Sequence, residues 1–120
     1  MKQEDKELLL KDLCARLPYG VKVSILGSGA MELKTCINST IGWYFDIEGA
    51  PTDFGIDEIK PYLRPMSSMT EEERNEFYDI PRSMVNHKSQ DWLLERHFDY
   101  RRLIEKGLAI EVTEENNPYN

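Results

Sequence analysis

The sequence predicts a single α+β domain. Three observations carry that prediction. A leucine-rich stretch of helical period opens the chain, strict apolar–polar alternation runs from Val21 to about Ile59, and helix-start signals return from Thr70 onward. The 120 residues match the usual size of one domain. With 40% apolar and 31% charged residues, the chain can form one modest core and does not read as disordered. The expected organisation is a domain over residues 1–112 and a polar, flexible C-terminal tail over 113–120.

The first element is a helix over residues 4–17. Leu9, Leu10, Leu13 and Leu17 recur at helical spacing, with Cys14 beside them. Glu7 with Lys11, and Asp12 with Arg16, are acid-to-base pairs four residues apart and are assigned to the wet side. Pro18-Tyr19-Gly20 ends the helix, because proline cannot continue it and glycine permits the turn.

The period then changes to two. Val21, Val23 and Ile25 alternate with Lys22 and Ser24, and Gly27-Ser28-Gly29 makes a tight connection. Met31, Leu33, Thr35 and Ile37 form the returning strand, and Asn38-Ser39 reads as the next turn. Ile41, Trp43, Phe45 and Ile47 share one face of a third strand, with Gly42 marking a bend or bulge. Gly49-Ala50-Pro51 is a third turn, and Phe54, Ile56 and Ile59 mark a further strand or strand end. Four to five strands, each with one apolar face, must close or be covered. A small antiparallel barrel or roll, with an Sm-like arrangement as one candidate, is the economical solution, the first helix plugging one side.

Pro61-Tyr62-Leu63-Arg64-Pro65 reads as an extended linker, since each proline disfavours helix at the residue before it. Thr70-Glu71-Glu72-Glu73 is a capping box that opens a helix running to about Asp79, ahead of Pro81. Ser89 or Asp91 caps a second helix through Trp92, Leu93, Leu94, His97 and Phe98. It ends near Phe98 or continues to Lys106, with Gly107 as the stop in either case. Leu108, Ala109, Ile110 and Val112 form a short last strand.

Chemistry is searched for along the same path. Gly27-Ser28-Gly29 lacks the glycine-lysine pattern of a phosphate loop and leads into a strand. His87 and His97 share no metal spacing with a cysteine or acid, and His97 lies on the apolar side of its helix. Cys14 and Cys36 cannot complete a tetrahedral zinc site and read as small buried hydrophobes. Asp46, Glu48, Asp53, Asp57 and Glu58 cluster near two turns without the spacing of a calcium loop, and read as a solvated rim. No catalytic, cofactor-binding or metal-ligating set emerges, so no cofactor is expected and the chain is read as a non-enzyme. Tyr19, Tyr44, Lys60, Tyr62 and Arg64 make up an aromatic-basic patch, the candidate interaction surface. A formal net charge of −7 works against nucleic acid, which a local basic patch would have to overcome. No apolar run approaches the ~20 residues needed to cross a bilayer, and the charged start is not a signal sequence, so a cytoplasmic protein is expected.

Three segments carry a resemblance. Leu8-Leu9-Leu10-Lys11-Asp12-Leu13-Cys14-Ala15-Arg16-Leu17-Pro18-Tyr19-Gly20-Val21 resembles the opening of a group of small uncharacterised proteins of Bacteroides-type gut bacteria and their prophages or mobile elements. Residues 59–73, centred on Lys60-Pro61-Tyr62-Leu63-Arg64-Pro65-Met66, resemble their middle motif. Asp99-Tyr100-Arg101, Leu103-Ile104 and Lys106-Gly107-Leu108-Ala109 resemble their end. The resemblance implies a bacterial or phage-linked setting and brings no catalytic residue. It leaves out residues 22–58, which fits a frame that carries a variable sheet. A protein-binding accessory module is therefore expected, with a nucleic-acid-associated accessory protein as the alternative.

Overall fold

The computed structural model describes residues 2–25, 29–39, 42–47, 56–80 and 88–119, with backbone alone at 35–39, 42–47 and 57. Helix α1 spans Gln3–Arg16 and runs into a 3-10 turn over Leu17–Tyr19. Gly20 closes that turn with φ 69°, its N–H donating to the Leu17 carbonyl. A Cβ there would meet the Glu32 carboxylate at 3.1 Å, so both the left-handed backbone and the space favour glycine. The buried stripe of α1 is Leu9, Asp12, Leu13 and Arg16, one helix face at i, i+3, i+4 and i+7. Glu7 and Lys11 are exposed, as expected of a wet-side pair, but Asp12 and Arg16 are both fully buried.

Strands β1 (Lys22–Ile25), β2 (Met31–Ser39), β3 (Gly42–Ile47), β4 (Ile59–Leu63) and β5 (Ile110–Glu111) form one sheet in the order β3-β2-β1-β4-β5. The β1–β2, β2–β3 and β1–β4 pairs are antiparallel, whereas β4 and β5 run parallel. The α+β class is thus as the alternation predicts, but the expected barrel is not formed. The first and last strands of the order stand at opposite edges, so the sheet is open, and the Sm-like closure goes with it. The apolar face is covered instead. Leu9 and Leu13 of α1, with Leu103, Leu108 and Ala109 from the C-terminal half, pack on Val21, Val23, Ile25, Leu33, Ile59 and Leu63. Each of these leucine, isoleucine and valine side chains contributes roughly 1.5–3 kcal/mol on leaving water.

Several boundaries move for physical reasons. Asn38 and Ser39 are not a turn but the end of β2, opposite Trp43 and Gly42. Ile56 belongs to a 3-10 turn over Ile56–Glu58 and not to a strand. The proline-flanked linker is itself β4: Pro61 pairs with Val23 at a point where β5, which reaches only Tyr62 and Leu63, is not alongside. The connections at Gly27-Ser28 and Gly49-Ala50-Pro51, as well as Ile41, Phe54 and His87, lie outside the described residues.

Helix α2 covers Glu71–Tyr78 with Thr70 as its cap, and the reciprocal capping box with Glu73 is present as the sequence predicts. Helix α3 covers Lys88–Glu95, beginning ahead of both expected caps, Ser89 and Asp91. It does not continue to Lys106. His97 adopts φ 65°, its N–H donates to the Leu94 carbonyl, and the Phe98 N–H donates to the Leu93 carbonyl. That is the two-bond Schellman ending, with histidine in the seat usually held by glycine. Asp99 then caps a separate turn, its carboxylate accepting from the Leu103 and Ile104 N–H groups at 2.9 Å each. Gly107, φ 74°, closes that turn and leads into β5.

Candidate functional site

Of the five residues in the predicted patch, Lys60, Tyr62 and Arg64 alternate along β4 and its extension. Lys60 is exposed, whereas Tyr62 and Arg64 are half-buried. The Arg64 guanidinium is committed within the molecule. It donates to both carboxylate oxygens of Glu73 at 2.7 and 2.8 Å and lies 4.2 Å from the centre of the Phe98 ring. Those hydrogen bonds hold the Glu73 carboxyl down at about 2, against the cost of its burial. Tyr19 is half-buried in the 3-10 turn after α1, and Tyr44 stands opposite Ile37 in the β2–β3 register. The patch is therefore divided: Lys60 faces solvent, Arg64 serves the fold, and Tyr44 belongs to a different part of the sheet.

Two groupings were not foreseen. The first is a buried ionic cluster under α1. Arg16 donates to Asp12 at 2.7 Å and to the Phe98 carbonyl at 2.6 Å, and Arg101 approaches the other Asp12 oxygen at 3.7 Å. Tyr100 lies beside both guanidinium groups, 5.8 Å from Arg16 and 4.9 Å from Arg101. The pair ties α1 to the segment after α3. Its signal in the sequence is the i+3/i+4 placement of Asp12 and Arg16 on the same stripe as Leu9 and Leu13.

The second is built by the segment read as a flexible tail. Asn116 accepts from the Thr113 N–H at 2.6 Å and donates to the Glu111 carbonyl at 3.2 Å, which turns the chain back. Tyr119 then reaches the sheet. Extending the β1–β4 register by one pair sets Lys22 opposite Tyr62. The Tyr119 hydroxyl bridges them, accepting from the Lys22 N–H at 3.0 Å and donating to the Tyr62 carbonyl at 2.7 Å. Its ring stacks on His97 with centres 3.6 Å apart and planes 8° apart. Burial raises the phenol pKa. Burial, with the Arg16 and Arg64 charges nearby, lowers that of His97 to about 4, so the imidazole is neutral at pH 7.

Two clefts accompany these groups. One of about 490 Å³ opens between Arg64, Glu73, Arg96, His97 and Tyr119. Another of about 550 Å³ is lined by Asp99, Tyr100, Arg102, Glu105 and Glu111. In both, the central acid is already occupied: Glu73 by Arg64, and Asp99 by two backbone N–H groups. No group of His, Cys, Asp and Glu among the described residues could hold a metal ion. Among the described residues, no helix is long and apolar enough to cross a membrane.

The remaining feature is the β2–β3 ribbon. Among the described residues, β1 pairs with β2 at Met31 and Glu32, and the Leu33 N–H donates to the Val21 carbonyl just ahead of β1. From Thr35 to Ser39, among the described residues, β2 pairs with β3 and no other strand, in the register Thr35↔Asp46, Cys36↔Phe45, Ile37↔Tyr44, Asn38↔Trp43 and Ser39↔Gly42. A register shift between Leu33 and Thr35 separates this stretch from the main sheet. Among the described residues β3 pairs with no strand but β2. Comparison with protein-family models, with curated proteins and with solved structures finds no match in any of the three.

Proposed function

We propose that this chain is a non-enzymatic protein-binding accessory module whose working part is the β2–β3 ribbon. The observation that carries the reading is the ribbon's geometry: five residue pairs of β2 and β3 run on past the β1–β2 pairs, and among the described residues β3 has no other strand neighbour. A two-stranded ribbon alone is marginally stable in water, and a bare edge is a template for another strand. Trp43, Tyr44 and Phe45 of β3 are residue types enriched at protein interfaces. The resemblance of the flanking segments to small proteins of bacterial mobile elements supports an accessory role in such a setting. The open sheet is unlike the closed barrels that bind single-stranded nucleic acid.

The test is a photo-crosslinking residue placed at Tyr44 and, as a control, at the exposed Tyr78 of α2. In the cells that make the protein, the position-44 probe is expected to yield one discrete protein adduct that re-forms from purified components, and the position-78 probe none. Adducts to nucleic acid at position 44, or equal labelling from both positions, contradict the reading.

A further inference from the structure

The segment after Val112 is fastened to the fold through one side chain. Residues 113–116 are exposed, Glu114 and Glu115 among them. The Asn116 turn ties this segment to its own neighbours, Thr113 and Glu111. Among the described residues, the hydrogen bonds and ring contacts that reach past β5 all belong to Tyr119: its hydroxyl bridges Lys22 and Tyr62, and its ring lies on His97. His97 is a constrained seat. It holds φ 65° at the end of α3, and its carbonyl accepts from the Arg64 N–H. Its Nδ1 is buried and, among the described residues, has no hydrogen-bond partner. Charged groups face it from each neighbouring element: Arg16, paired with Asp12, from α1, Arg64 just beyond β4, Glu73 from α2, and Arg96 next to it in the chain.

We infer that residues 113–119 are an acid-released strap: a proton taken up by His97 lifts the Tyr119 ring from its seat and frees the segment, while β5 and α1 stay in place. This is independent of the ribbon reading. With Tyr119 seated, an imidazolium would be held out of water beside the Arg16 and Arg64 guanidinium groups, and these conditions keep the His97 pKa down at about 4. The face of a phenol ring offers a cation some return, but burial prevails here. Releasing the strap gives the imidazole back to water, so protonation and closure oppose each other. By linkage, a value of about 4 in place of 6.5 limits the coupling to about 300-fold. The rest of the fold keeps its ties, because the Val112 N–H still donates to the Leu63 carbonyl and Arg16 to that of Phe98. Release bares the Lys22 N–H and the Tyr62 carbonyl at the end of the β1–β4 ladder.

The test follows His97 and the strap by NMR on the full chain, from about pH 7 to about pH 3.5. In the unmodified chain His97 is expected to titrate at about 4. Residues 113–119 are expected to become mobile over the same range, while the Leu33 and Leu108 amides stay protected. Tyr119→Ala is expected to raise the proton affinity of His97 at least about tenfold. His97→Asn keeps a residue that accepts the left-handed backbone and removes the titration, so its strap mobility is expected not to change across the range. An unchanged His97 titration in Tyr119→Ala overturns the coupling. Acid release in His97→Asn equal to that of the unmodified chain places the proton on another group and overturns the assignment to His97. Loss of Leu33 and Leu108 protection together with the strap overturns its release as a separate unit.

Discussion

The two sides of this sheet are finished in opposite ways. On the β4 side, the backbone from Tyr62 to Arg64 is taken up by partners from the C-terminal part of the chain. Strand β5 pairs with Tyr62 and Leu63, the Val112 N–H donates to the Leu63 carbonyl, and the Arg64 backbone is gripped by His97 and Asp99. The Tyr119 hydroxyl fills the place where the β1–β4 ladder ends. On the β3 side, among the described residues, the ribbon runs out past β1 with no such closure. The lesson is a division of labour. The C-terminal third of the chain ties β4 and α1 together, whereas among the described residues β3 has no strand neighbour but β2. The same division appears in charge, since Arg16 and Arg64 are held in internal contacts and residues 35–59 contain no Lys or Arg.

Breaking the sealed side has the largest expected effect at Asp12. Asp12→Ala leaves Arg16 and Arg101 facing each other without their shared anion, and is expected to cost about 3–5 kcal/mol in urea unfolding. The double replacement Asp12→Leu with Arg16→Met removes both buried charges and is expected to recover most of that loss. If the single variant costs under about 1 kcal/mol, the cluster does not hold α1 in place.

Arg64→Ala comes next. It removes two charge-assisted hydrogen bonds and the contact with Phe98, at an expected cost of about 1.5–3 kcal/mol. It also changes the acid limb of the stability curve. Because the folded-state pKa of Glu73 is depressed from 4.5 to about 2, its contribution is present above 4.5 and is lost as the pH falls toward 2. Carboxyl titration by NMR checks this directly: Glu73 should return to the ordinary glutamate range in the variant.

How much of this contrast is legible in the sequence depends on how local its cause is. The Thr70–Glu73 capping box is a four-residue device, and it appears where predicted. The alternation at Val21, Val23 and Ile25 likewise places three core residues correctly. Asp12 and Arg16 mislead because an i, i+4 ion pair looks the same on a wet face and on one covered by a distant segment, and only the fold brings Phe98 and Arg101 over it. Residues 113–120 look like a frayed tail because their composition is polar. Within 113–119, the Asn116 bonds to Thr113 and Glu111 turn the chain, and the Tyr119 hydroxyl meets a partner 97 residues away. The barrel was inferred from the need to cover an apolar face, which is sound, but α1 and Leu103, Leu108 and Ala109 cover it without closure. In the interaction patch, Lys60 faces solvent as the alternation implies, whereas the commitment of Arg64 to Glu73 required knowing where α2 packs.

Smaller effects sharpen the account at the tail. Tyr119→Phe keeps the stack on His97 but leaves the Lys22 N–H and Tyr62 carbonyl without their bridge, at an expected cost of about 1–2 kcal/mol, together with faster exchange of the Lys22 amide. His97 should make the same latch sensitive to acid. Its folded-state pKa is depressed from 6.5 to about 4, so its contribution is present above 6.5 and is lost as the pH falls through 4. The smallest expected change is for His97→Gly. Glycine relieves the strain of φ 65° while removing the stack, so global stability should move by less than about 1 kcal/mol even as the Tyr119 ring signals lose their stacking shift.

The central claim, one sealed edge and one open edge, is tested most directly by residue-resolved hydrogen exchange on the unmodified chain at neutral pH. The account predicts slow, globally limited exchange for Lys22, Leu63, Arg64 and Asp99. Outward-facing amides of Gly42–Ile47 should exchange orders of magnitude faster, through local opening of the ribbon. Uniform protection of β3 at the level of β1 and β4 would contradict it, because the edge offered to a partner would already be filled.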